Sequence, residues 1–204
     1  FAVGNLYNNH MVLQRQYDFI WCILAKAFLI KIDRSCKNKF DILLEFCLND
    51  LKCAMHQELY LLALYFKNDP SIGRVFAKLS KDYNKGIEYA LENTTWDLFH
   101  SRMTFEHTRF YDTVENRVIL PYFATNDKGV YQYLSKCLFK AVIIDHGKMI
   151  PAYRSSIELS SYIMNESLQF QLYDEEHIVK RKVDVTQVNI NLIKSKLLQE
   201  LKTI

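Results

Sequence analysis

Glycine and proline are scarce in this 204-residue chain, 5 and 3 in number. A sandwich of many short strands needs more turn formers than that, so the shortage favours long helices. The glycines are also too dispersed to make a phosphate-binding loop or a dinucleotide fingerprint, and no G-x-S-x-G elbow occurs. The five cysteines (Cys22, Cys36, Cys47, Cys53 and Cys137) are odd in number and include no C-x-x-C, so neither a disulfide frame nor a zinc knuckle is implied. A reducing cytoplasm suits them. The six histidines contain no H-x-x-x-H pair. No basic arm or block of like charge is present, and a net charge of +3 neither demands nor excludes nucleic acid. The apolar run 19–30 is broken by Lys26 and is shorter than the roughly 20 residues of a membrane span. No membrane partner is therefore expected. The chain starts at Phe1 with no charged segment and apolar core of the secretory kind.

What the chain does have is helical periodicity. Apolar residues recur at helical spacing over 10–34, 40–52, 55–66 and 72–91, with a break at Asn68-Asp69-Pro70-Ser71. Thr94 or Thr95 can cap a further helix over 96–109. Residues 118–124 read as a strand despite Pro121, 130–139 as a short helix and 141–144 as a second apolar strand. Strand, helix and strand in that order predict a parallel βαβ unit. A helix over 155–163 follows. Next comes a hairpin of strands 168–173 and 178–183 turning at Asp174-Glu175-Glu176-His177, and an amphipathic helix over 186–201 ends the chain. The expectation is an α/β fold with a small parallel sheet and many helices. It forms a single domain over 1–204, with a helix-rich part over 10–91, an α/β part over 92–150 and an annex over 151–204.

Three carboxylates stand in apolar surroundings. Glu58 lies inside the hydrophobic helix 55–66, where a carboxylate must be paired, hydrogen-bonded or metal-bound. Asp97 falls in the predicted first turn of a helix, and Asp127 falls between a predicted strand and a helix. Each has an ordinary role available: Asp97 as a partner of the helix dipole, Asp127 as an N-cap. Asp145-His146 ends an apolar run and reads as a turn.

Taken together, Trp96-Asp97-Leu98-Phe99-His100-Ser101-Arg102, the strand after it, and Thr125-Asn126-Asp127-Lys128-Gly129-Val130 resemble the closing pattern of PIN-domain nucleases. Gln57-Glu58-Leu59 and Ala63 resemble the upstream helix of that family, and the likeness spans residues 55–145. The resemblance implies a site in which Glu58, Asp97 and Asp127 hold one or two Mg²⁺ or Mn²⁺ ions and hydrolyse phosphodiesters. RNA is implied as substrate in preference to DNA. Thr125 would orient a water or ligand, while Arg102 and Lys128 would meet the substrate backbone or, for Arg102, a carboxylate. Such proteins often act as bacterial or phage toxins or defence effectors, and a homo-oligomer or a protein regulator would fit that role. The family opens with a strand ending in an essential Asp. Asp18, within an apolar helical run, is a poor substitute, so that strand is expected upstream of Phe1.

Two other readings compete. Arg102 and His107 have the Arg-x4-His spacing of metal-independent HEPN ribonucleases, although Met103 departs from that family's preference for a polar residue there. The many aromatic residues, 13 Tyr and 13 Phe, would also suit a non-catalytic helical interaction module.

Overall fold

The computed structural model describes residues 2–80, 83–106, 111–112, 117–118, 125–136, 139–145, 148–153 and 158–204. Helix α1 (Ala2–Ile32) is the central rod. From Tyr17 to Ile30 it is apolar and buried almost all round, Lys26 and Leu29 being the half-exposed exceptions. That is how a helix reads when neighbours cover most of its circumference. Helices α2 (Lys39–Asn49), α3 (His56–Phe66) and α4 (Ile87–Glu106) pack on it, as does α8 (Ile190–Lys202) at the C-terminal end. Between α4 and α8 lie α5 (Lys128–Lys136), α6 (Glu166–Tyr173) and α7 (Glu175–Asp184). One hydrophobic cluster runs from Tyr17 to Leu201 and draws on α1 to α6 and α8.

Basic side chains close the C-terminal ends of several helices, where carbonyls lack intrahelical partners and the dipole is negative. Lys31 Nζ donates to Tyr65 O (2.8 Å) at the end of α3 and to Asn68 Oδ1 (2.6 Å). Lys39 Nζ closes α1 on Ile30 O (2.6 Å). Arg181 closes α6 on Gln171 O and Leu172 O. Asp18, buried on α1, is paired with Lys194 of α8 at 2.7 Å.

The strands correct the predicted class. Strand β1 (Tyr111–Asp112) pairs antiparallel with β2 (Arg117–Val118), and β3 (Phe139–Asp145) pairs antiparallel with β4 (Lys148–Tyr153). Among the described residues there is no parallel pair, so the α/β fold with a parallel sheet does not hold. The apolar run 141–144 is a strand as expected. However, its partner is the segment that follows within two residues, a connection too short for a parallel crossover. Residues 119–124 of the predicted first strand lie outside the described residues, as do 155–157 of the predicted helix 155–163. Leu159–Tyr162 of that segment form a 3-10 turn.

Two more expectations fail for instructive reasons. Ile72, Phe76 and Leu79 have helical spacing and are all buried, yet their segment is a 3-10 turn (Pro70–Ile72) followed by successive turns. Bonds such as Val75 N to Ile72 O and Leu79 N to Phe76 O span three residues, so turns deliver the same plugs to the core. Gly86 then takes φ +83, open to glycine, and α4 begins. The alternation in 168–173 suggested a strand. Leu168 and Leu172 are instead the buried i, i+4 pair of α6, with Phe170 between them 61% exposed. Asp174, expected in a hairpin turn, caps α7 by accepting from His177 N (3.1 Å).

Candidate functional site

Asp97 is not in a first helical turn. Helix α4 starts ten residues earlier, and the stripe Ala90, Leu91, Thr94, Thr95, Leu98 and Ser101 is buried along one face. Thr95 is thus no cap. Its hydroxyl donates to Leu91 O (2.7 Å), the way a mid-helix threonine satisfies itself. Ser101 does the same to Asp97 O (2.8 Å). The dipole account of Asp97 therefore lapses, and its half-buried carboxylate is left facing the turns of 73–79 and the start of α5.

Asp127 does cap α5. Its Oδ1 accepts from Gly129 N (2.6 Å) and Val130 N (3.0 Å), and its own N–H donates to Thr125 Oγ1 (3.0 Å). Gly129 packs closely here: a Cβ there would sit 3.0 Å from Asp127 Oδ1 and 3.1 Å from Arg74 O, so a larger residue would make these neighbours give way by a few tenths of an ångström. Arg74 N in turn donates to Gln132 Oε1 (2.9 Å). These contacts lock the cap of α5 onto the turn segment. They leave a small cavity of about 40 Å³ whose wall includes Arg74, Lys78, Asp97 and Asp127.

Two carboxylates and two cations thus meet where α4, α5 and the 73–79 turns converge. Burial raises the Asp97 carboxyl above its ordinary range; the Asp127 charge adds to the rise, while Lys78 and His100 oppose it. Arg74 and Lys78 are the residues that sequence reasoning missed. Their spacing of four was visible, but within a segment read as a helix it carried no sign of facing an acid.

Glu58 sits elsewhere in the arrangement. It is 1% exposed on α3, and its Oε2 accepts from Arg102 Nη1 at 2.7 Å. Its Oε1 has no hydrogen-bond partner among the described residues. The neighbouring Gln57 accepts from Tyr133 OH (3.2 Å), so α3 is tied to α4 by an ion pair and to α5 by a hydrogen bond. The structure therefore brings Asp97 and Asp127 together and gives Glu58 to Arg102. Among the described residues no group of three or more His, Cys, Asp or Glu side chains is placed to hold a metal ion. Lys128 is exposed at the start of α5, and His107 lies outside the described residues.

None of the described cysteines is in a disulfide. No described helix is long and apolar enough to cross a membrane. No protein-family model, curated protein or solved structure matches this chain.

Proposed function

We propose that the chain is a metal-dependent phosphodiesterase acting on nucleic acid, RNA in preference to DNA, at the cavity between Asp97 and Asp127. The observation that carries this reading is the convergence of two carboxylates from separate elements with Arg74 and Lys78 on one wall. Mg²⁺ is commonly held by one or two carboxylates, retained waters and substrate phosphate oxygens, so a two-acid donor set of hard oxygens fits it, and Mn²⁺ as well. When bound, the ion supplies an activated water and neutralises charge on a phosphate.

The protein's own residues do the rest. Two amide N–H groups fix the Asp127 carboxylate through Oδ1, leaving Oδ2 as the oxygen to offer. Thr125 holds the Asp127 backbone. Arg74 and Lys78 supply the positive charge that phosphate oxygens seek. Glu58, paired with Arg102, secures α3 against the helix that carries Asp97. This reading keeps the carboxylate chemistry of the PIN-domain resemblance without its sheet, and the cytoplasm is its natural compartment. A guanidinium occupied by Glu58 gives no support to a metal-independent site built on Arg102.

The test is cleavage of single-stranded RNA and DNA with Mg²⁺ or Mn²⁺, with and without EDTA, for the chain and its Asp127→Asn variant. Asparagine caps a helix as well as aspartate does, so the fold is kept while the charge is removed. Expected is EDTA-sensitive cleavage that falls by about a hundredfold or more in the variant, the range for losing a key electrostatic group. Cleavage that persists in EDTA or in Asp127→Asn refutes the assignment. No cleavage under any condition leaves the non-catalytic interaction module as the better reading.

A further inference from the structure

A second cavity, of about 270 Å³, opens where the end of α2, the start of α3 and helix α7 meet. Its polar wall is made by Lys52, His56, Arg181 and Lys182, with Cys53 beside them, and among the described residues no carboxylate lines it. The other cavities described in the fold each include an acid: Asp97 and Asp127 in one, Asp41 in another, Asp33 and Glu200 in a third. Among the described residues neither Lys52 nor Lys182 has a carboxylate partner, and Arg181 has carbonyl partners only. Three cations thus share one recess with no counter-charge among the described residues that line it.

One of these cations is held in place by the fold. Arg181 is anchored through Nη1 and Nη2 on the last carbonyls of α6. A guanidinium has five N–H donors, so three remain to be offered. Lys52 adopts φ +51, a left-handed conformation that lysine rarely takes, while Cys53 N reaches back to Cys47 O (2.9 Å). That backbone wrap brings Lys52 to the same wall as Arg181. Helix α3 begins here with Met55 at its N-cap, and the Glu58 carboxylate in its first turn offsets the positive end of the helix. Burial lowers the pKa of His56, and the charges of Arg181 and Arg102 lower it further. The remaining wall is apolar, with Leu172, Ile178 and Val185.

We infer that this recess binds a small organic oxyanion, its phosphate or carboxylate against Lys52, Arg181 and Lys182 and its apolar body against Leu172 and Ile178. The size agrees: a bare inorganic anion would leave most of the cavity unfilled, and small-molecule pockets begin near about 300 Å³. The site is separate from the Asp97–Asp127 cavity and does not depend on the function proposed there.

The probes are phenyl phosphate, benzoate, inorganic phosphate and the neutral phenol, each titrated by calorimetry and by amide and arginine Nε chemical shifts. Phenyl phosphate, benzoate or both should saturate with shifts at Arg181 and His56. Inorganic phosphate should bind more weakly than phenyl phosphate, and phenol should not saturate. In Lys52→Gln/Lys182→Gln, which changes two solvent-accessible side chains, the dissociation constant of the binding probe should rise by about tenfold or more. Asp97→Asn should leave it unchanged. Overturning results are no saturation by either aromatic anion up to millimolar concentration, equal binding of phenol, or unaltered affinity in the double lysine variant.

Discussion

The Glu58–Arg102 pair ties α3 to α4, and it sets a measurable stake on stability. Glu58 is 1% exposed and Arg102 17%, with 2.7 Å between Oε2 and Nη1. Arg102→Met keeps the apolar stem of the side chain and removes its charge, which leaves a carboxylate buried without a counter-ion. Breaking a buried pair from one side costs about 3–5 kcal/mol, and the partial exposure of Arg102 places this case near about 3 kcal/mol. For a domain of this size 1 kcal/mol moves Tm by about 2–4 °C, so the variant should melt roughly 6–12 °C lower. Glu58→Leu/Arg102→Met should recover most of that loss, because an apolar pair replaces the ions without stranding either one. The assay is urea and thermal unfolding of the wild type, both single variants and the double variant. A coupling energy of about 1–3 kcal/mol between the two positions is expected. If Arg102→Met costs less than about 1 kcal/mol, or if the single effects simply add, the pair does not bind the helices as described.

The cap and the charge of Asp127 can be separated. Asp127→Ala should lose about 1 kcal/mol of stability with the cap, whereas Asp127→Asn should hold its melting temperature. Asp97 has a folded pKa above its ordinary 3.8, so its ionised form is penalised in the fold and stability falls as pH rises through that interval. Asp97→Asn should therefore stabilise the protein at neutral pH and show no gain below pH 3.8, as pH-dependent melts will report. His56 has the opposite linkage. Its folded pKa lies below 6.5, so stability should decline as pH falls from 6.5 through the folded value, and His56→Gln should flatten that slope.

The helices were legible where burial follows one period. Residues 40–66 gave α2 and α3 to within a few positions, because α2 carries an apolar stripe and α3 is apolar almost all round. The turn segment before α4 was misread because Ile72, Phe76 and Leu79 carry helical spacing without helical bonding. Thr94 and Thr95 looked like caps because nothing local distinguishes a hydroxyl that starts a helix from one that back-bonds within it. The α6–α7 pair was misread because a short alternating run matches both periods, and only the tertiary burial of Leu168 and Leu172 decides between them. At the site, the N-cap of Asp127 could be read from Asp-Lys-Gly, while the approach of Arg74 and Lys78 depends on tertiary contacts such as that of Arg74 with Gln132, 58 residues away.

The convergence of Asp97 and Asp127 on a divalent cation is measured most directly by Mn²⁺ titration, followed by calorimetry and electron paramagnetic resonance. The account predicts saturable binding of Mn²⁺ at the cavity, competed by Mg²⁺, with a rise in Tm for the wild type and both signals lost in Asp97→Asn and in Asp127→Asn. Mn²⁺ that fails to bind, or that binds both variants as tightly as the wild type, contradicts it.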